Sequence, residues 1–225
     1  MQKLLIKGGK KLSGEVVISG SKNASLPIII SSLLFDDSVH FENVPKVRDI
    51  FTLINLIKVL GREVEFNEEK EILKISNKNK NKYFAPYSIM RTMRAGVLVL
   101  APLLAKFGKA RVSLPGGCSI GARPVNLHLE ALKKLGAKIN VKNGYIDAIA
   151  PKGLSGSNIK FPSISVGATE SIIIAAVLAK GITKISNAAI EPEIIDLINF
   201  LNKCGADIKY NSKRKIIIKG VKFLY

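Results

Sequence analysis

The sequence predicts a single α/β domain in which three repeated strand–helix units form an inside-out, barrel-like fold, with helices inside and sheets outside. Three observations favour this architecture. An amphipathic segment that ends in glycine and runs into an alternating stretch occurs three times. A helix that is apolar on almost every side precedes each of these segments. Short stretches with the composition and length of strands lie between the helices.

The amphipathic segments share apolar residues near i, i+3, i+4 and i+7, as expected of helices with one buried face. They read LINLIKVLGREVEF, LHLEALKKLGAKINV and LINFLNKCGADIKY, at Leu53–Phe66, Leu127–Val141 and Leu197–Tyr210. The glycines that end them recur about every 70 residues, a longer period than that of short solenoid repeats. These glycines are Gly61, Gly136 and Gly205. Each repeat is therefore large enough to contain a small sheet of its own.

The apolar helices are predicted at Leu26–Leu34, Arg94–Lys106 and Glu170–Lys180. Helices without a polar face are normally buried on every side, so the sheets and amphipathic helices must cover them. The strands expected around them are Glu15–Ser19, Ala110–Leu114, Tyr145–Ala150, Thr183–Ser186 and Lys215–Lys219.

A net charge of +18 raises the question of nucleic-acid binding. Lysine and arginine are spread over the whole length, and the densest cluster, Lys78–Lys82, alternates with asparagine as in a solvated turn. No helix-turn-helix, ribonucleoprotein motif or basic zipper occurs, and aromatic residues make up only 6%. The sequence therefore favours no nucleic-acid partner.

Neither a membrane segment nor a zinc site is indicated. The apolar runs are too short to span a bilayer, and Lys7, Lys10 and Lys11 interrupt the first of them, so we expect a cytoplasmic protein without a membrane partner. The two cysteines and two histidines have no paired-ligand spacing, so a structural zinc site is not expected.

Two turns at predicted helix starts have the composition of an anion site. GSKNASLP (Gly20–Pro27) places Lys22 and Asn23 where free backbone N–H groups attract negative charge. SVGATE (Ser165–Glu170) opens the third apolar helix in a similar way. Taken alone, each turn is explained more simply by ordinary capping, by an N-cap with a surface lysine in the first case and a capping box in the second.

A glycine-rich segment, SLPGGCSIGARPVNLH (Ser113–His128), contains Cys118 and, five residues later, Arg123. The commonest state of a free cysteine is a buried, inert thiol. Here the neighbouring glycines offer little to bury the thiol, and the cationic Arg123 would favour the reactive thiolate. Arg94, at the start of the second apolar helix, would join the same rim of positive charge. The segment is therefore a candidate for a working cysteine beside an anion site.

These motifs resemble those of the enolpyruvyl transferases. The likeness runs along the whole chain and rests on five segments: GSKNASLP, NVPKVRD, RTMRAG, the cysteine segment and SVGATE. The cysteine segment and Asn23 are similar to the branch that acts on UDP-N-acetylglucosamine rather than on shikimate 3-phosphate. The resemblance implies transfer of the enolpyruvyl group of phosphoenolpyruvate to the 3-hydroxyl of UDP-N-acetylglucosamine, in peptidoglycan precursor synthesis. It also implies that the reaction proceeds without a metal or organic cofactor.

The same resemblance implies roles for individual residues. Cys118 would protonate the methylene carbon of phosphoenolpyruvate and can add to it covalently. Lys22 and Arg123 would bind the phosphate and carboxylate of phosphoenolpyruvate. Asn126 stands where the family usually has aspartate. Contacts to the nucleotide sugar would come from Asn23, Arg94, Arg123, Pro124, Val125, Asn126, Leu127, Ser165, Val166 and Gly167.

The length differs from the family pattern of two three-repeat domains with the active site in the cleft between them. The resemblance implies that residues 1–20 are a strand segment that pairs with a second domain, missing here. Residues 21–225 would form the three-repeat domain with the Cys118 segment. Two hypotheses stay open. The chain is either a truncated or split enolpyruvyl transferase, where the split form would be completed by another chain, or an inactive module that binds the UDP-sugar.

Overall fold

Three apolar helices lie at the centre of the protein, and three small sheets surround them. The computed structural model describes residues 3–77, 82–115 and 125–225. Within these ranges, no helix combines the length and the apolar character needed to cross a membrane. The architecture predicted from the repeats is confirmed, with helices inside and sheets outside.

The first repeat forms a three-stranded antiparallel sheet with the order β1-β3-β2. Its elements are α1 (Lys22–Ser31), a 3-10 turn (Ser32–Leu34), β1 (Val39–Phe41), α2 (Arg48–Val59), β2 (Arg62–Asn67) and β3 (Ile72–Asn77).

The second and third repeats form four-stranded sheets, with the orders β4-β5-β7-β6 and β10-β11-β9-β8. In each sheet one pair is parallel, β4 with β5 and β8 with β9, and an apolar helix connects the two strands of that pair. The second repeat consists of β4 (Phe84–Ala85), α3 (Tyr87–Met90), a 3-10 helix (Arg94–Val99), α4 (Leu100–Phe107), β5 (Lys109–Ser113), α5 (Asn126–Lys134), β6 (Lys138–Lys142) and β7 (Tyr145–Ile149). The third consists of β8 (Asn158–Lys160), α6 (Val166–Ala176), β9 (Ile182–Ser186), α7 (Pro192–Lys203), β10 (Asp207–Asn211) and β11 (Lys215–Lys219).

The strand predicted at Glu15–Ser19 is wrong, because this segment joins no sheet in the described part of the chain. The side chains of Val16, Val17 and Ile18 are 78–98% exposed. A strand requires a partner for its backbone hydrogen bonds, and nothing pairs with this segment in the structure. The composition of the segment reflects its propensity for a strand and not its pairing.

The glycine after each amphipathic helix has the predicted role. Gly61, Gly136 and Gly205 follow α2, α5 and α7 with φ angles of 95°, 97° and 94°. Residues with a side chain rarely adopt this left-handed region, which ends the helix and turns the chain into the next hairpin.

The burial predicted for the apolar helices is confirmed. Every residue of α6 from Ala168 to Ala176 is buried, and the helix packs against α4, α5 and α7. α1 packs against α2 and α7 and is largely buried as well. The sheets and amphipathic helices therefore cover helices that have no polar face to offer to water.

The second apolar helix is not continuous, and Arg94 does not open an α-helix as predicted. Residues Arg94–Val99 form a 3-10 helix, and the α-helix begins only at Leu100. Pro102, in the first turn of this α-helix, has no N–H to donate to the carbonyl of Leu98, which suits an α-helix that begins at Leu100.

Thr169 provides the clearest test of the core because it joins α6 to the loop before α7. Its buried Oγ1 accepts a hydrogen bond from the Ala189 N–H at 3.0 Å and donates one to the Ser165 carbonyl at 2.8 Å. Thr169→Val keeps the shape but leaves the buried Ala189 N–H unsatisfied. We expect the free energy of unfolding, measured by urea denaturation, to fall by about 1–3 kcal/mol.

Thr52→Val is the matched control. Thr52 Oγ1 donates a similar bond to the Arg48 carbonyl at 3.0 Å, but at an exposed position on α2. Its loss should change the free energy of unfolding by less than about 0.5 kcal/mol. Equal effects of the two substitutions would show that the Ala189 N–H does not depend on Thr169.

Candidate functional site

A cavity of about 490 Å³ lies where the starts of several helices converge. Five elements contribute to its wall: α1, the 3-10 helix before α4, and the first turns of α5, α6 and α7. The residues that matter for its chemistry are Asn23, Arg94, Val125, His128, Ser165, Val166, Gly167, Glu170 and Glu193.

The cavity brings together many of the residues predicted from the sequence. Six of them line it: Asn23, Arg94, Val125, Ser165, Val166 and Gly167. Lys22, Asn126 and Leu127 are not part of its wall. Asn126 is exposed at the start of α5, and Leu127 packs against the core. Cys118, Arg123 and Pro124 lie outside the described residues.

The start of α1 carries a capped helix end and an ion pair. Ser21 Oγ accepts a hydrogen bond from the Ala24 N–H at 3.4 Å, as an N-cap does. The Lys22 ammonium lies 2.9 Å from the Asp49 carboxylate, in the first turn of α2. Both side chains are partly exposed, so the pair contributes little to stability and an incoming anion could exchange with Asp49. Lys22 therefore carries its positive charge in an exposed ion pair, directly before Asn23, which lines the cavity.

The start of α6 presents backbone N–H groups to the cavity. Ser165 is the N-cap, and its Oγ accepts from the Ala168 N–H at 3.3 Å. A capping box is absent at this turn because the residue in the reciprocal position is Ala168, which has no carboxylate. The first-turn N–H groups of Val166 and Gly167 have no intrahelical acceptor, as in every α-helix, and suit a negatively charged ligand.

His128 forms a neutral wall of the cavity. Its Nδ1 is hydrogen-bonded to Ser171 Oγ at 2.7 Å. Burial, and secondly the positive charge of Arg94, lower the pKa of His128 to about 4. A Cβ atom on Gly167 would lie only 3.1 Å from the imidazole Cε1, so the ring packs directly on the backbone of α6. His128 thus adds hydrogen-bonding capacity without charge.

Two carboxyl groups, from Glu170 and Glu193, line the same cavity. Glu170 is only 6% exposed, and no hydrogen bond or ion pair joins its carboxyl to any described residue. Burial, and secondly the negative charge of Glu193, raise the pKa of Glu170 to about 8. The carboxyl of Glu170 is therefore protonated at neutral pH.

Sequence reasoning did not select His128, Glu170 or Glu193 as site residues. A signal existed for Glu170, which is the one charged residue at the head of the otherwise apolar run ESIIIAAV. No local signal marks Glu193, because α7 reaches the cavity only through its packing against α1 and α6.

The charges in the cavity are distributed unevenly. Arg94 and the N–H groups of α6 attract anions, whereas the negative charge of Glu193 repels them and the protonated Glu170 offers a neutral hydrogen-bonding group. Across residues 3–77, 82–115 and 125–225, no three His, Cys, Asp or Glu side chains converge closely enough to hold a metal ion. The cavity suits an elongated ligand with an anionic part and a neutral, hydrogen-bonding part.

Glu170 should make the stability of the protein depend on pH. Its pKa is about 8 in the folded protein, against an ordinary value of 4.5 in the unfolded chain. Between these two pH values the folded protein therefore binds more protons than the unfolded chain. The free energy of unfolding therefore falls as the pH rises from about 4.5 to 8. His128, with a pKa of about 4 instead of 6.5, acts oppositely and reduces stability as the pH falls from 6.5 to 4. Between pH 6.5 and 8 only Glu170, and not His128, changes the free energy of unfolding, which falls by up to about 1.4 kcal/mol per pH unit.

Glu170→Gln should abolish this decrease above pH 6.5, as measured by urea denaturation at a series of pH values. Glu130→Gln, at an exposed position of α5, should retain it. A slope that persists in Glu170→Gln would contradict the assignment of a buried, protonated carboxyl at this position.

The chain is similar to known proteins over nearly its whole length. Residues 6–225 match the profile of the EPSP synthase (3-phosphoshikimate 1-carboxyvinyltransferase) family. The UDP-N-acetylglucosamine 1-carboxyvinyltransferase of Pelagibacter ubique (strain HTCC1062) is 58% identical over 221 residues, which cover 98% of this chain and 52% of that protein. The protein of the same name from Geotalea uraniireducens (strain Rf4) is 54% identical over 224 residues, which cover 100% of this chain and 53% of that protein. The chain thus spans about half the length of the curated relatives it matches.

Solved structures share the fold. The enolpyruvyl transferase NikO from Streptomyces tendae superposes with a TM-score of 0.79 at 19% identity, over 95% of this chain and 50% of that one. The EPSP synthase from Acinetobacter baumannii superposes with a TM-score of 0.75 at 20% identity, over 94% of this chain and 48% of that one. Since the family profile covers nearly every residue and the fold agrees, this chain belongs to the EPSP synthase (3-phosphoshikimate 1-carboxyvinyltransferase) family of enolpyruvyl transferases.

Proposed function

We propose that this chain forms one wall of an active site that transfers the enolpyruvyl group of phosphoenolpyruvate to the 3-hydroxyl of UDP-N-acetylglucosamine. The product serves peptidoglycan precursor synthesis, and we place the reaction in the cytoplasm. The observation that carries the proposal is the convergence of Asn23, Arg94 and the Ser165–Gly167 turn on one cavity. Relatives that are 58% and 54% identical bear the name of this activity, which supports the choice of substrate.

The diphosphate of the nucleotide sugar is proposed to bind between Arg94 and the start of α6. The first-turn N–H groups of Val166 and Gly167 and the Arg94 guanidinium supply donors and positive charge. His128 stays neutral beside them, so it can pack against the ligand without competing for the phosphate as a second cation.

Phosphoenolpyruvate is proposed to bind at the start of α1. Its phosphate would take the Lys22 ammonium from Asp49, and Arg123 would hold its remaining negative charge. Asn23 follows Lys22 directly and lines the cavity, so the two substrates would meet at this helix start. In this proposed arrangement the 3-hydroxyl of the sugar would approach the carbon that it must attack.

Cys118 is proposed to act as the general acid. In the addition step the thiol proton passes to the methylene carbon of phosphoenolpyruvate, while the sugar oxygen bonds to the neighbouring carbon and gives its proton to a base. A tetrahedral ketal results. In the elimination step the bond to phosphate breaks, and a proton leaves the methyl group to restore the double bond. Fixed positive charges from Lys22, Arg94 and Arg123 would stabilise the anionic groups around this centre.

Residues 1–20 are proposed to pair with a second domain that completes the site, with residues 21–225 as the three-repeat domain. In support, the segment before α1 exposes seven large apolar side chains, Leu4, Leu5, Ile6, Leu12, Val16, Val17 and Ile18, by 78–98%. The sheet of the first repeat also has three strands where the other two have four. Apolar surface of this extent is typical of a segment that packs against a partner.

The activity is tested with a fusion of this chain to the remaining half of the Pelagibacter ubique relative. We expect the fusion to release phosphate from phosphoenolpyruvate only when UDP-N-acetylglucosamine is present, and the chain alone to release little. In the fusion, Cys118→Ala should lower the rate about 100-fold or more because the general acid is lost. Cys204→Ala, at the end of α7, should leave the rate within about threefold. A fusion that binds UDP-N-acetylglucosamine but releases no phosphate would favour the inactive binding module.

The two cysteines should differ in reactivity. Cys204 is partly buried at the end of α7, and burial raises the pKa of its thiol, which slows alkylation. Cys118, with Arg123 nearby in the sequence, should react with iodoacetamide at least about tenfold faster at neutral pH. Peptide mass spectrometry of the native chain measures both rates, and Cys204→Ala should leave the fast reaction intact. Equal labelling of the two thiols would argue against an activated Cys118.

A further inference from the structure

Glu170 is a buried polar residue without a partner among the residues that the structure describes. Its side chain lines the cavity, its exposure is 6%, and no described residue forms a hydrogen bond or ion pair with its carboxyl. Buried polar groups are nearly always satisfied in folded proteins, and burying one without a partner costs free energy. A ligand that enters the cavity would supply the missing partner.

We propose that Glu170 is a specificity-determining residue whose carboxyl group hydrogen-bonds a hydroxyl or acetamido group on the sugar of the bound nucleotide sugar. This inference rests on the proposed function and adds to it a residue for recognition of the sugar. Glu170 would contact the ligand directly but take no part in the transfer of the enolpyruvyl group.

The surroundings of Glu170 indicate a neutral ligand group. Glu193 lines the same cavity, and its negative charge acts on Glu170. A phosphate placed beside Glu170 would meet the negative charge of Glu193, whereas Arg94 and the start of α6 offer it positive charge within the same cavity. The carboxyl groups therefore face the part of the ligand that carries no charge.

The position of α1 indicates which neutral part of the nucleotide sugar lies near the carboxyl groups: it is the sugar and not the base. α7, which carries Glu193, packs against α1, and Asn23 of α1 lines the cavity. The reacting sugar hydroxyl has to approach this end of α1 if phosphoenolpyruvate binds beside Lys22. The sugar is thus the neutral part of the nucleotide that lies nearest to both carboxyl groups.

The protonation state of Glu170 suits this role. Its raised pKa, about 8, keeps the carboxyl neutral near pH 7, so it can donate one hydrogen bond and accept another. Sugar hydroxyl and acetamido groups also donate and accept. Glutamine has the same pairing capacity and nearly the same shape, whereas methionine keeps the volume and removes the hydrogen bonds.

The test measures dissociation constants of the 225-residue chain for UDP-N-acetylglucosamine and for UDP, by ligand-observed NMR titration. Glu170→Met should weaken binding of UDP-N-acetylglucosamine about tenfold, the effect of one lost hydrogen bond, and leave binding of UDP within about twofold. Glu170→Gln should stay within about threefold of the parent for both ligands.

Thermal unfolding without ligand separates this role from a structural one. Because the Glu170 carboxyl has no partner in residues 3–77, 82–115 and 125–225, Glu170→Met should unfold at the same temperature as the parent or higher. Unchanged binding of UDP-N-acetylglucosamine by Glu170→Met, or an equal loss for UDP, would overturn the inference alone. If neither nucleotide binds to the parent chain or to its fusion with the Pelagibacter ubique half, the proposed function is overturned, and the inference with it.

Discussion

The structure depends on one constraint, the complete burial of helices that have no polar face. α6 has no residue from Ala168 to Ala176 that reaches solvent, and the other apolar helices are covered almost as fully. Sheets on the outside and amphipathic helices between them satisfy this constraint three times in one chain. Because parallel strands flank α4 and α6, each apolar helix crosses the core between neighbouring strands. The starts of these helices then converge on one cavity.

The same burial determines the chemistry of that cavity. Removal from water makes His128 neutral and keeps Glu170 protonated, so charge in this region is concentrated on Arg94 and on the helix starts. An unpartnered carboxyl reduces the stability of the empty protein and gains a partner when ligand binds. Such local instability is common at binding sites, where residues are retained for recognition rather than for folding.

The first repeat differs from the other two in a way that bears on the whole protein. Its sheet lacks the parallel strand that the second and third repeats possess, and the preceding segment exposes a row of apolar side chains. The matching relatives are about twice as long as this chain. A second domain that covers this surface would also provide the opposite wall of the cavity, which links the exposed segment to the proposed reaction.

The sequence by itself determined the features that depend on neighbours along the chain. Apolar periodicity identified the buried and the amphipathic helices, glycines such as Gly136 marked their ends, and the helix-start motifs indicated the anion site and the family. Tertiary structure decided the rest. Glu15–Ser19 joins no sheet in the described chain because a strand needs a partner, and Arg94–Val99 forms a 3-10 helix before α4. His128 and Glu170 became site residues only through burial and through charges on other elements, because the pKa of a side chain depends on what surrounds it in space.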